Sequence, residues 1–339
     1  MYQKIDNNYI CKVINELASQ IGIKEDIDPA PLLSLFHGKE IKKCVEKIAE
    51  YLGLPVSIDL SYAPQKQKYG LINEHGFGMK AAEVYIPGNL PFYGNEGLRG
   101  FTIKVKLRDS CFRNEWSFLS IMAHEISHIV LHSISHQEKD NEFYTDITAM
   151  VLGFSEVMKN GRNVVERVER TLGTEEINKS YGYLSNNQLE YAYNKTRAIL
   201  ARNVNFKNEI IRKLSLQKEL ETKFRKRLDK FREWVEHLDK KPNIKMSEKD
   251  AVKIVAFHQP GYLDEFNSLI ENSAKRRKDI NDYCIKLKHY SQRNINLLQG
   301  MTEEIDQSIT KLNNAYQRIS DEIKTMKKYV GFWGGIRIG

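Results

Sequence analysis

Apolar residues recur at helical spacing through the first fifty positions. Ile10, Val13, Ile14, Leu17 and Ile21 form one stripe, and Ile41, Cys44, Val45, Ile48, Ala49 and Leu52 a second. Asp28-Pro29-Ala30-Pro31 separates the two predicted helices, and Gly53 ends the second. The period then changes from 3.6 to 2. Residues 56–60, 82–86 and 101–107 alternate apolar with polar and predict the strands of a small sheet. Between the last two lies 87–97, dense in turn formers and aromatics, which either borders a cleft or crosses the surface. A helix follows from Asn114-Glu115-Trp116-Ser117 to about Ser133, and another opens at Asp140 with Phe143, Ile147 and Met150 suited to packing. Helical character continues to Met158, gives way to a turn at Asn160-Gly161, and becomes loop-like around Gly173. Ser185 is a fitting N-cap for the next helix.

From about 186 the chain is charged and poor in glycine. Leu220, Phe224, Leu228, Phe231, Val235 and Leu238 form one stripe. Ile305, Ile309, Leu312, Tyr316, Ile319, Ile323, Met326 and Val330 form another, close to heptads. Lys241-Pro242 and Gln259-Pro260-Gly261 interrupt them. The pattern predicts a long antiparallel helical hairpin, coiled-coil-like, with arms at 186–240 and 264–330 and a turn near 252. Gly300 is a candidate break in the second arm. The expected fold class is α+β, with a helical segment 1–54 packed on a domain at 55–185, the hairpin at 186–330, and an apolar glycine-rich tail at 331–339.

A chain of 339 residues suits two domains, and 41% hydrophobic residues suffice for packed cores. Cys11, Cys44, Cys111 and Cys284 lie far apart and read as free thiols in a reducing compartment, so a cytoplasmic location is expected. The start of the chain lacks a signal-peptide layout, and no apolar run is long enough to span a bilayer. The net charge of +8 is uneven. Residues 201–339 carry 29 lysines and arginines against 19 acids, leaving 23 against 25 in the first 200. If the hairpin turns near 252, the basic run 223–230 faces Lys275-Arg276-Arg277-Lys278, a patch for nucleic acid or an acidic partner. A solvated coiled-coil face accounts for the same residues.

The candidate chemistry sits in 121–132, where His124-Glu125-x-x-His128 interrupts an apolar run. Histidines four apart on a helix share one face and can reach one ion, and Glu125 stands where it can take a proton from an attacking water. Two imidazoles and a carboxylate are costly to bury without a role. His132 lies two turns from His124, too far to share its metal, and with His136 reads as an ordinary polar residue. Glu142 and Asp146, four apart on the next predicted helix, supply the missing groups: one carboxylate completes a His2Glu zinc site and the other accepts an imidazole N–H.

His124-Glu125-x-x-His128 followed by Asn141-Glu142-x-x-Thr145-Asp146 resembles the thermolysin-type zincins, the gluzincins, over about residues 55–155. The short spacer between the motifs is similar to compact intracellular zinc peptidases of the ImmA/IrrE kind. The resemblance implies a zincin-like domain that binds Zn2+ through His124, His128 and Glu142, with Glu125 as base and Asp146 orienting His124. The oxyanion-stabilising histidine of the thermolysin type has no counterpart, which leaves Tyr144, Tyr181 and Tyr183 as candidate donors. The expected activity is zinc-dependent hydrolysis of a protein or peptide substrate, with the hairpin serving a homodimer, a partner or substrate choice. The alternatives are a coiled-coil scaffold or a nucleic-acid-associated regulator with a structural or silent zinc site.

Overall fold

The structure, a computed structural model, describes residues 5–63, 81–170, 173–239 and 260–331. The turn near 252 and the tail 332–339 fall outside the described residues. The chain forms two compact units: Met1–Asn203 with Lys288–Asn294, and Val204–Leu287 with Ile295–Gly339.

The first unit is mixed α and β. Helix α1 (Asn7–Ile21) is capped by Asp6 and buries the whole predicted stripe, and α2 (Ala30–His37) and α3 (Ile41–Tyr51) follow. The three predicted strands are present. β1 (Ser57–Ala63) runs parallel to β3 (Thr102–Arg108), and β2 (Ala82–Tyr85) lies antiparallel on the other side of β3. Ile103, Val105 and Leu107 of β3 are buried, as period two requires. The 87–97 segment packs against the end of α3 through Tyr93, whose hydroxyl donates to the Leu52 carbonyl at 2.6 Å. Helix α4 (Glu115–Ser133) buries residues on all sides, including Phe118, Met122, Ile126 and Val130. Helix α5 (Glu142–Ala149) is followed, across a kink at Leu152 and Gly153, by α6 (Ser155–Asn160). Gly153 takes φ +97°, where an added Cβ would lie 2.5 Å from the Glu25 carbonyl.

Two elements escaped the sequence pattern: α2, which starts at Ala30 inside the expected break with a proline in its first turn, and a ribbon after α6. Where a loop around Gly173 was expected, β4 (Asn163–Arg170) and β5 (Gly173–Ser180) form an antiparallel ribbon. The sequence carries only a partial alternation there.

The second unit corrects the hairpin. Helix α7 (Asn186–Asp239) begins in the first unit, but the second arm is two helices, α8 (Pro260–Lys286) and α9 (Gln292–Gly331). Two buried clusters give their directions. Ile210 and Leu214 pack with Ile280, Cys284, Leu298 and Ile305; Phe224, Leu228 and Phe231 pack with Phe266, Ile270, Leu312 and Ile319. Thus α8 runs antiparallel to α7, and α9 turns back to run parallel with it. Gly300 lies inside α9, and the break falls at 287–291. There Tyr290 and Ile23 exchange backbone hydrogen bonds of 2.8 and 3.2 Å within the first unit.

A polar layer separates the two clusters. Gln217 donates to the Ser273 carbonyl and Ser308 hydroxyl, and Ser308 bonds Ser273, all at 3.0–3.1 Å. Pairing Gln217 with Ser273 sets the register. It puts 275–278 level with a part of α7 that precedes the basic run 223–230 by on the order of 15 Å along the axis. The two runs therefore do not face each other. Arg277 instead pairs with the buried Glu221 at 3.0 Å, and Arg276 with Glu304 at 3.5 Å.

Phe224 is fully buried between the helices, whereas its neighbour Arg225 is exposed. Phe224→Ala should cost about 3–5 kcal/mol in denaturant unfolding and Arg225→Ala less than about 0.5 kcal/mol. Equal effects would contradict the bundle register.

Candidate metal centre

Helices α4 and α5 each start at an asparagine cap, and these caps set the phase of the site. Asn114 Oδ1 accepts from the Ser117 amide and Asn141 Oδ1 from the Phe143 amide, both at 3.0 Å. His124 and His128 then share one face of α4, while Glu142, the first residue of α5, and Asp146 share the facing side. Glu142 Oε2 lies 2.9 Å from His124 Nε2 and 3.1 Å from His128 Nε2. The two imidazoles are nearly perpendicular, with centroids 5.1 Å apart.

This set fits a metal. Bonds of 2.0–2.1 Å to a tetrahedral zinc would place the donor atoms about 3.4 Å apart; the two histidine nitrogens are within a few tenths of an ångström of that distance from Glu142 Oε2, and all three donors lie within 4.8 Å of one another. The far nitrogens are committed to acceptors. His124 Nδ1 is 2.7 Å from Asp146 Oδ1, and His128 Nδ1 is 3.2 Å from Thr145 Oγ1 and 3.4 Å from the Lys139 carbonyl. Outward donation from Nδ1 would leave each Nε2 free to ligate a metal beside Glu142, the arrangement a histidine ligand needs, whereas a protonated Nε2 donates to that carboxylate. No other histidine, cysteine or carboxylate joins the group among the described residues.

The electrostatics agree. Burial pushes the His124 pKa down, but hydrogen bonds to Asp146 and Glu142 and the charges of Asp146 and Glu125 outweigh it and carry it up to about 10. Burial raises Glu142, yet hydrogen bonds from His124 and His128 outweigh that and hold it well below the usual carboxylate range. The cluster could therefore hold a cation between these side chains.

Asp146, 1% exposed, has further partners. Its Oδ2 accepts from the amides of Tyr183 at 2.7 Å and Leu184 at 3.3 Å. The Tyr183 ring stacks on His124 with centroids 5.4 Å apart. Burial first, then the charges of Glu142, Glu125 and Asp146, raise the Tyr183 pKa, so its hydroxyl stays protonated; it also hydrogen-bonds Glu142.

Of the three candidate tyrosines, only Tyr183 is seen at the donor set. Tyr144 is a correction. It stands two residues after Glu142, so it points to the opposite side of α5, where its hydroxyl donates to Glu16 at 3.4 Å and its ring meets His136 and Tyr9. Tyr181 is tied by its main chain to Arg162, its amide donating to the Arg162 carbonyl and its carbonyl accepting from the Arg162 guanidinium. His132 pairs with Asp140, and His136 with Glu16, each at 3.0 Å. Thr145, Arg162 and the two loop amides had no role assigned from sequence. Only Thr145, in a motif already noted, offered a signal.

The donor set opens on a cleft of about 400 Å³. Glu125, His128, His132, Asp140 and Glu142 line one side, and Glu83 to Ile86, on and beyond β2, line the other. Among the described residues β2 pairs only with β3, so its outer edge lies on this side of the sheet. Cys111 lies close enough for Glu125 to act on it; burial chiefly, with that charge, pushes its thiol up to about 11.

No protein-family model, curated protein or solved structure matches this chain.

Proposed function

We propose that the first unit is a zinc-dependent peptidase of the zincin type, similar to the compact intracellular gluzincins, and that it hydrolyses peptide bonds of a protein substrate. The observation that carries this reading is the convergence of His124, His128 and Glu142 ligand atoms beside a cleft that His128, Glu142 and Glu125 line. Three protein donors with a fourth direction toward a cleft describe a catalytic zinc site, whereas structural sites are closed by four. That contrast disfavours the alternative of a structural site in a coiled-coil scaffold. No helix among the described residues is long and apolar enough to cross a membrane. The free cysteines are in keeping with a cytoplasmic setting.

Zinc held by the three side chains would supply Lewis acidity to the scissile carbonyl and to the attacking water. Glu125 takes the water proton as that oxygen adds to the carbonyl carbon, and delivers it to the leaving amine as the C–N bond breaks. The Tyr183 hydroxyl, kept protonated, is the donor best placed to meet the developing oxyanion. Asp146 holds His124 in the tautomer and orientation that ligation needs. The outer edge of β2 offers main-chain groups to an extended peptide, which suits a protein substrate better than a small molecule. The helical bundle serves partner, substrate or dimer contacts.

Elemental analysis of purified protein should find one zinc per chain. Glu125→Gln should keep that zinc and lower turnover by about 100- to 10,000-fold, scored by comparing protein N-termini from cells expressing each form. Glu142→Ala should lose the stoichiometric zinc; its retention would remove Glu142 from the ligand set.

A pH dependence follows from His124. Its pKa in the ion-free protein lies well above the ordinary value, at about 10, so at neutral pH zinc must displace a proton from it. Apparent zinc affinity should rise about tenfold per pH unit between pH 6 and 8. Competition against a chromophoric chelator measures this, and a flat profile would exclude a protonated His124.

A further inference from the structure

Arg162 carries no mark in the sequence, yet the fold delivers it to the metal centre. The turn before it is pressed against α4, where a Cβ on Gly161 would collide with the Trp116 carbonyl and the Ser120 side chain. Arg162 is therefore held inside, 8% exposed, at the entry to β4. Its guanidinium donates through Nη1 to the Tyr181 carbonyl and through Nε to Asn186 Oδ1 at 3.4 Å. Between guanidinium and Asp146 lies Gly182, at φ +88°, where an added Cβ would sit 3.0 Å from Arg162 Nη1 and 3.1 Å from Asp146 Oδ2. The next two amides are those that bind Asp146, and the Tyr183 ring lies on His124.

We infer that Arg162 is a positioning residue of the metal centre: its guanidinium clamps the 181–184 loop onto Asp146, and through that carboxylate and the Tyr183 ring it fixes His124. The inference rests on the zinc reading and adds a part that no ligand motif contains. Charge supports it. With neutral imidazoles, Glu125, Glu142 and Asp146 present three negative charges to a divalent ion, and the buried Arg162 supplies the balancing cation. Position supports it too. Arg162 immediately precedes β4 and Tyr181 immediately follows β5, so the ribbon brings both ends of the clamp to one place.

The test uses the full chain, stripped of metal and titrated with zinc against a fluorescent chelator, with amide hydrogen exchange measured on the same samples. Arg162→Met should weaken zinc binding by about 10- to 100-fold. It should also speed exchange at the Tyr183 and Leu184 amides while the amides of α4 keep their protection. Arg162→Lys should fall between, because one ammonium retains the charge but cannot span the Tyr181 and Asn186 acceptors. Gly182→Ala, which leaves the arginine in place, should loosen the same two amides. Unchanged exchange at Tyr183 and Leu184 in Arg162→Met would overturn the inference, as would equal loosening of α4, which marks general unfolding. Failure of the wild type to bind zinc would remove the metal reading alone, and the exchange data would still decide whether Arg162 holds the loop.

Discussion

A carboxylate buried to 1% exposure is tolerated only where every side of it is answered, and Asp146 is the constraint on which the first unit depends. His124 meets one oxygen, two loop amides meet the other, and Arg162 stands behind the intervening glycine. These partners come from α4, from the segment after β5 and from the entry to β4. Satisfying one side chain on α5 therefore fixes three otherwise separate pieces of chain. Glu142, one turn earlier on the same helix, takes its place between the histidines as a consequence. Removing any partner would leave a buried charge short of its compensation, which is more costly than the loss of an exposed ion pair.

The part of this arrangement set by short-range periodicity was legible in the sequence. The His124-to-His128 spacing and the Glu142-to-Asp146 spacing are each one helical turn, and Asn114 and Asn141 are local caps. Local rules place all of these within a residue or two. The pairing of α4 with α5 is also nearly local, because only the segment after Ser133 separates them. Arg162 and the 181–184 loop are different. They reach Asp146 across an antiparallel ribbon whose strands carry charged residues at alternate and adjacent positions alike, so no period announces it. Tyr144, one of three tyrosines left open as donors, turns out to be structural, because two residues along a helix from Glu142 is the wrong side of it.

The bundle shows the same division between local and non-local information. Most of the described apolar stripe residues on α7 and α9 are buried, with Leu220, Ile309 and Tyr316 partly so, as heptad spacing implies. Heptads report that a helix buries a seam without reporting how many neighbours share it, and a hairpin and a three-helix bundle use the same positions. The turn that distinguishes them, at 287–291, lacks glycine and proline. It is held by Tyr290 pairing with Ile23, a contact between residues far apart in sequence. Register is equally non-local. The Gln217, Ser273 and Ser308 layer can be satisfied only when those three residues lie level, and sliding the helices by a turn would leave buried polar groups without partners.

The His124, His128 and Glu142 cluster is assembled by contacts that need no ion. Caps start both helices, Asp146 orients His124, Thr145 and Lys139 orient His128, and apolar packing on α4 supplies the rigid base. A small structural zinc module folds only when metal arrives, because the metal provides much of its cohesion. Here the cohesion comes from two helices, a sheet and a closing loop. A scaffold that stands without its ion can hold three donors and spare the fourth direction. Under the proposed zinc reading, that freedom to leave one position to an incoming molecule would separate a site suited to turnover from one suited to folding.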